Sequence, residues 1–354
     1  MMNYEIFKEV VAEKFKDYLP PQFQNMTLRV ESVNKVNKNL DGLTMVSNEA
    51  GRNVSPTIYI NDMYEHYLNT ENLQEVLQSA AKTMEKAFDR VPEVGKLDFE
   101  SAKDNIVFQV VNTMQNEDML RDMPHREFQD LSIIYRWVVK VDEQGIQSSV
   151  VRNNLANQLG MTEEQLFKCA VENTRRILPP TVKSMNDVMK EMFIADGMPM
   201  EIAEMMIGEI PEDKMMWVIS NDRGINGACS MLYEDNLHKL AERLETDLYI
   251  LPSSVHECIA VSTDMGDPYE LAAMVNEINM DQVALEDRLS NQVYHYDKDA
   301  RRLTLATDTP NKRLDGIVAE SQLIYDAGKS RLEAAYGAGN DCKGTDCSYK
   351  CLGW

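Results

Sequence analysis

The sequence predicts a protein of the α+β class, with mixed or antiparallel sheets covered by helices in two or three domains. Three observations lead there. At 354 residues the chain is long enough for each of two or three domains to bury its own core. Amphipathic stretches with a three- to four-residue apolar period alternate with short β-branched runs bounded by turn residues. No short regular repeat of the solenoid or propeller kind interrupts that alternation. A hydrophobic content of 44% and a charged content of 27% match a soluble globular protein.

Residues 4–17 read as a helix, because Ile6, Phe7, Val10, Val11 and Phe15 repeat on one face. Pro20 and Pro21 stop it, since proline lacks an amide donor and restrains its predecessor. Strand-like stretches follow at 26–34, 42–47 and 56–60, with Asn39, Leu40, Asp41 and Gly42 as turn chemistry between the first two. Leu73, Val76, Leu77, Ala80, Ala81, Met84 and Phe88 mark a second amphipathic helix. Residues 1–95 thus form an N-terminal α+β unit, a sheet covered by two helices.

A middle unit over 96–210 has strand-like runs at 106–111 and 131–141, a turn from Asp142 to Gly145 and a return strand at 146–151. Thr162 and Gln165 have capping-box spacing, opening a helix that runs to about Leu178 before Pro179 and Pro180. Residues 184–208 read as helical and rich in methionine. Met185, Met189 and Met192 fall on one helical face, a pattern that suits core or inter-domain packing, although flexible thioethers also suit grooves that accept partner helices. The third unit, 211–308, has strands at 215–220, 247–251 and 257–263, helices at 232–244 and 268–280, and a hairpin of 292–297 with 301–306. A polar helix is expected over 309–336. Gly337, Ala338, Gly339 and Asn340 then act as a joint that frees a flexible cysteine-bearing tail, 337–354.

Charge narrows the function classes. With 58 acidic against 36 basic residues the net charge is −22, a field that repels phosphate backbones. Arg175–Arg176 and Arg301–Arg302 are the only adjacent arginine pairs, so no nucleic-acid partner is expected. No apolar run approaches the length that spans a bilayer, and no secretory signal pattern opens the chain. The expectation is a cytoplasmic protein without a membrane partner.

Several stretches carry a resemblance. Lys38-Asn39-Leu40-Asp41-Gly42-Leu43-Thr44, the following Asn53-Val54-Ser55-Pro56-Thr57-Ile58-Tyr59-Ile60-Asn61, Leu251-Pro252-Ser253-Ser254-Val255-His256-Glu257 and Leu289-Ser290-Asn291-Gln292-Val293-Tyr294 resemble an uncharacterised bacterial domain-of-unknown-function family, number 5688. The resemblance covers about residues 1–308, and it implies no activity. The cysteine tail departs from the family pattern.

Three of the six cysteines, Cys342, Cys347 and Cys351, lie in the last thirteen residues, with Thr345 and Ser348 between them. Thiols and hydroxyls at this spacing suit cross-linking by a peptide-modifying enzyme. The same three thiolates are candidate zinc ligands, but a closed site takes four ligands and the tail has no histidine; no cofactor is predicted. A disulfide would leave one thiol unpaired. Ser253, Ser254, His256 and Cys258 are the candidates for nucleophilic catalysis. Were 256–263 a strand, His256 and Cys258 would share one face, yet triads are assembled from residues distant in sequence and no G-x-S-x-G elbow is present. The alternative is that His256 and the serines satisfy backbone groups at a strand entry. Asn221, Asp222, Arg223 and Asn226 form a polar, glycine-bearing loop that is a candidate ligand pocket, without the order of a phosphate-binding fingerprint. Asp41 and Asp62, on either side of Asn61, are a candidate cation pair without EF-hand spacing.

The leading expectation is a non-enzymatic binding or scaffold protein that displays its cysteine tail for modification or capture. The alternatives are a hydrolase or transferase centred on 253–258 and a metal-binding accessory protein using the tail thiolates.

Overall fold

Antiparallel pairing organises the chain into three sheets. The computed structural model describes residues 1–46, 56–90, 102–142, 145–208, 210–310 and 312–315. Asn3 caps helix α1 (Tyr4–Lys14) by accepting the Ile6 amide on its side chain, which satisfies one of the first-turn donors. The helix turns Phe7 and Val11 inward, and a 3₁₀ turn adds Phe15. Strands β1 (Thr27–Lys35), β2 (Lys38–Val46) and β3 (Thr57–Tyr59) form the first sheet in that order. Helices α2 (Ile60–Thr70) and α3 (Leu73–Arg90) complete a core of Phe7, Leu43, Met45, Ile60, Leu77 and Met84. Helix α2 was not expected: Ile60 read as the end of a strand, whereas it opens a helix whose Met63 and Tyr67 are buried.

The first hairpin also turns elsewhere than expected. Lys35 pairs with Lys38, so Val36 and Asn37 make the turn, and Asn37 takes the left-handed conformation at φ 61°. Asparagine tolerates that region because its short side chain bonds locally. Asn39 to Gly42 lie inside β2 instead. Gly42 is there for close packing, since a Cβ would stand 2.8 Å from side-chain carbons of Thr57 and Val33.

The second sheet has β4 (Ile106–Asn112) on one side of β6 (Leu131–Asp142). Between them in the chain come the short helix α4 (Glu117–Leu120) and β5 (His125–Phe128). Strand β5 and then β7 (Gly145–Val150) share the other side of β6. Helix α5 (Asn153–Leu159) leads to α6 (Glu163–Ile177), which opens with both hydrogen bonds of the Thr162–Gln165 capping box.

The third sheet crosses the expected boundary at 210. Strand β8 (Pro180–Ser184) pairs with β9 (Trp217–Asn221), and between them the chain makes helices α7 (Met185–Ala195) and α8 (Met200–Ile207). After α9 (Glu234–Leu244), the sheet is completed by β10 (Leu248–Leu251), β11 (Cys258–Ser262), β12 (Tyr294–Asp297) and β13 (Arg302–Leu305), with α10 (Pro268–Gln282) preceding β12. Its order is β13-β12-β10-β11-β9-β8. One continuous core runs through the second and third sheets, including Phe108, Tyr135, Trp217, Ile250, Cys258 and Tyr294. Residues Met1–Leu314 form one compact unit. Of the helix expected over 309–336, residues 309, 310 and 312–315 are described and are not helical; the remainder lies outside the described residues.

A buried polar joint ties the three sheets together. Asn37, only 3% exposed, donates from Nδ2 to the carbonyls of Leu285 (2.8 Å) and Arg288 (2.7 Å). Its Oδ1 accepts from Asn116 Nδ2 at 2.8 Å, and its backbone N–H donates to Asn116 Oδ1 at 2.7 Å. Asn116 Nδ2 also donates to the Asn112 carbonyl, and Asn112 Nδ2 donates to the Leu289 carbonyl. The tip of the first hairpin is therefore bonded to the second sheet and to the approach to β12. Asn37→Gly keeps the left-handed backbone accessible but removes the side-chain bonds. It should lower the unfolding free energy by about 2–3 kcal/mol, read by urea denaturation, and Asn37→Ala should cost roughly 1 kcal/mol more.

Candidate functional site

Residues 251–258 leave the end of β10 and enter β11, and their polar groups serve this passage. His256 lies before the strand, which begins at Cys258, so the shared-face geometry expected of the two does not arise. The His256 Nδ1 accepts the Asn226 N–H at 3.2 Å, and its Nε2 faces Asp287 Oδ1 at 3.2 Å. An N–H donor at Nδ1 leaves the ring as the Nε2–H tautomer, donating to Asp287. Both nitrogens are thereby engaged by neighbouring groups. Ser254 Oγ accepts the His256 N–H at 3.0 Å, and Ser220 Oγ donates to the His256 carbonyl at 2.8 Å. The Ser253 carbonyl accepts the Leu289 N–H. The Cys258 thiol is buried against the Ala228 carbonyl and Met231 Sδ. Burial, with the nearby Glu257 charge, pushes that thiol well above its usual range. Burial also pushes Cys229 up to about 12. Neither sulfur is the thiolate that nucleophilic attack requires.

The 221–227 loop closes on itself and on His256. Asn221 Oδ1 accepts the amides of Arg223 and Ile225, and its Nδ2 donates to the Ile225 carbonyl at 2.8 Å. Asp222 is held through its amide by the Pro179 carbonyl. Asn226 turns the chain at φ 53°. Gly227 then passes so close to β9 that a Cβ would stand 2.2 Å from Ser220 Oγ and 2.5 Å from the His256 carbonyl. The sequence grouped these residues as a pocket, and the structure brings them together with His256 as a hydrogen-bonded knot.

Another carboxylate has the environment that sequence reading did not single out. Asp130 sits in the two-residue turn between β5 and β6 and borders a cavity of about 420 Å³ lined also by Asn112, Met114, Gln129, Leu305 and Lys312. Ser290 Oγ donates to Asp130 at 2.6 Å, and the Tyr294 hydroxyl donates to its other oxygen. Burial raises the Asp130 carboxyl above the usual carboxylate range, against the two hydroxyl bonds that favour its charged form. Local pattern could not reveal this, because Ser290 and Tyr294 meet Asp130 from a sheet some 160 residues further along the chain.

Asp41 receives the Tyr4 hydroxyl and the Lys8 ammonium; burial pushes its carboxyl up, but these partners hold it below the usual range. Its backbone N–H donates to Asn61 Oδ1, while Asp62 lines a different cavity with His66 and Thr83. Arg175 pairs with Asp235, and Arg301 with Glu234. No cluster of metal-ligating side chains occurs among the described residues. Cys342, Thr345, Cys347, Ser348 and Cys351 lie outside the described residues.

The methionine-rich segment departs most from expectation. Helix α7 buries none of its residues and α8 buries only Ala203. In the stripe read as core or inter-domain packing, Met185 is half-buried while Met189 and Met192 are exposed, and on α8 Met205 is 81% and Met206 62% exposed. No helix among the described residues is long and apolar enough to cross a membrane.

The fold and these sites define an acidic, antiparallel α+β protein in which Cys229 and Cys258 are buried and Ser254 and His256 are hydrogen-bonded to their neighbours. The chain belongs to the family of unknown function DUF5688, whose profile matches residues 4–298. No curated protein and no solved structure matches it.

Two measurements report on these buried groups. In the native protein at about pH 8, Cys229 and Cys258 should resist iodoacetamide while the half-buried Cys169 reacts, with all three alkylated after unfolding; peptide mass mapping reads the difference. A folded pKa above the unfolded one means that the native state keeps a proton the unfolded state has lost. The stability contribution of Asp130 is therefore full below about pH 4 and is lost as pH rises through its folded value. Urea denaturation from acid to neutral pH should show wild type losing stability relative to Asp130→Asn over that rise.

Proposed function

We propose that this protein is a non-enzymatic binding or scaffold protein of the cytoplasm, whose folded body presents its C-terminal cysteine peptide for modification or capture. One observation carries the binding reading: the α7–α8 segment gathers exposed apolar side chains at close spacing, among them Met192, Met200, Met205 and Met206. Exposed apolar area of this kind marks surfaces that meet partners. The engagement of His256, Ser254 and Cys258 in backbone hydrogen bonding and burial supports the same reading over a hydrolase or transferase.

The tail reading rests on sequence chemistry. Cys342, Cys347 and Cys351 alternate with Thr345 and Ser348 beyond a glycine-bearing joint. A peptide-modifying enzyme that eliminates water from one of these hydroxyl residues leaves a carbon–carbon double bond, to which a neighbouring S–H adds. Each such link lowers the mass by one water and removes one free thiol.

Intact mass spectrometry of the protein from its native host, with thiol alkylation and a tail-directed digest, tests the proposal. The expected result is a tail lighter than its sequence by whole waters, with as many thiols resistant to alkylation as links formed. A full-mass tail with three alkylated cysteines removes the modification reading.

A further inference from the structure

Ser184 and Trp217 face each other as paired residues of β8 and β9, and the Met185 N–H donates to the Met216 carbonyl at 2.8 Å. The 32 residues between those paired positions thus leave and re-enter the sheet at a single rung. The two strands would pair equally well across a short turn, so the sheet itself does not require the excursion. What the excursion adds is surface. It holds nine of the 23 methionines. Met189 and Met192 on α7, with Ile202, Met205 and Met206 on α8, are all exposed, and their spacings of three and four place each set on one helical face.

The charges around that surface are mostly negative. Residues 185–216 contain eight carboxylates and two lysines. Lys190 is already bonded to Glu204, and Lys183 at the root to Glu191. Arg243, which reaches the returning limb from α9, is paired with Glu212 and lies over Trp217. An apolar, polarizable patch with an acidic border is complementary to a helix that is apolar on one face and basic on the other. A second copy of this chain would bring the same acidic border and a net charge of −22 against it, and an anionic lipid surface would be repelled likewise.

We infer that the α7–α8 excursion is a docking site for a basic amphipathic helix of a partner protein. With α7 about 16 Å and α8 about 12 Å long, it spans two to three turns of such a helix. Apolar residues of the partner pack among the thioethers, whose flexible side chains adapt to different sequences. Partner lysines or arginines lie against the carboxylate border, including Asp196 and Glu201. This inference rests on the reading of the chain as a binding protein and names the chemistry of what it binds.

The test uses the full chain labelled with [methyl-¹³C]methionine and a synthetic 18-residue peptide of leucine and lysine in helical periodicity. Two control peptides are a scramble of the same composition without an apolar face and a leucine–glutamate counterpart. The expected result is saturable shifts of the Met192, Met205 and Met206 methyl signals with the leucine–lysine helix, weakened by salt. Affinity should fall about tenfold or more for either control and for the M192Q/M205Q/M206Q variant, whose substitutions sit in solvent. Equal binding of the scramble, shifts confined to other methionines, or binding unaffected by the triple substitution would overturn the proposal. So would methyl shifts that follow protein concentration without peptide, which would identify a second copy, or shifts with phosphatidylglycerol vesicles and none with the peptide. Failure of the peptide alongside a tail found modified removes this partner and leaves the display reading intact.

Discussion

The structure depends on a small buried polar joint. Asn37 occupies the tip of the first hairpin, and its side chain and backbone bond to Asn116 on one side and to the carbonyls of Leu285 and Arg288 on the other. Buried amides without partners would each be costly, so this geometry is satisfied only when all three sheets are in register with one another. The apolar cores under the first sheet and under the second and third are separate clusters. Hydrophobic burial, which is non-directional, drives each to collapse but does not fix how they meet. The directional bonds at Asn37 do.

The stretches that carry the family resemblance belong to this construction. Residues 38–44 form β2, and 57–61 supply β3 and the Asn61 oxygen that accepts the Asp41 amide. The 251–257 and 289–294 stretches bond to each other, with the amides of Leu289 and Ser290 donating to the carbonyls of Ser253 and Pro252. Asn37, just before the first pair, bonds to the Arg288 carbonyl just before 289–294, and Asn112 bonds to the Leu289 carbonyl. Within the second pair, Ser290, Asn291 and Gln292 are all buried, and Gln292 bonds to Thr307 and Thr309. Polar residues in such runs invite a catalytic interpretation, but their chemistry here is that of interior satisfaction.

While these polar motifs bond within the fold, other side chains stay outside it. The α7–α8 excursion hangs from one rung of an edge strand pair, and its apolar side chains contribute little to the core. The acidic composition gains a local meaning there: it is a border around an apolar patch as well as a general field.

The local structure was set by local pattern, and most of it was legible. The Thr162 cap, the apolar helical periods, the proline stops and the strand-like apolar runs act over short stretches of chain, so α1, α6, β4 and β6 follow from neighbouring residues alone. Sequence by itself also determined the α+β class and the family. Only the tertiary structure decided what each face meets. Helical spacing put Met185, Met189 and Met192 on one side, but whether a chain segment covers that side depends on residues elsewhere, and none buries it among those described. The turn at Asn37 in place of Asn39 to Gly42 was selected because its side chain reaches acceptors some 250 residues away. The raised Asp130 carboxyl and the engaged His256 ring have the same origin: burial and partners are supplied by distant strands, and no window of sequence contains them.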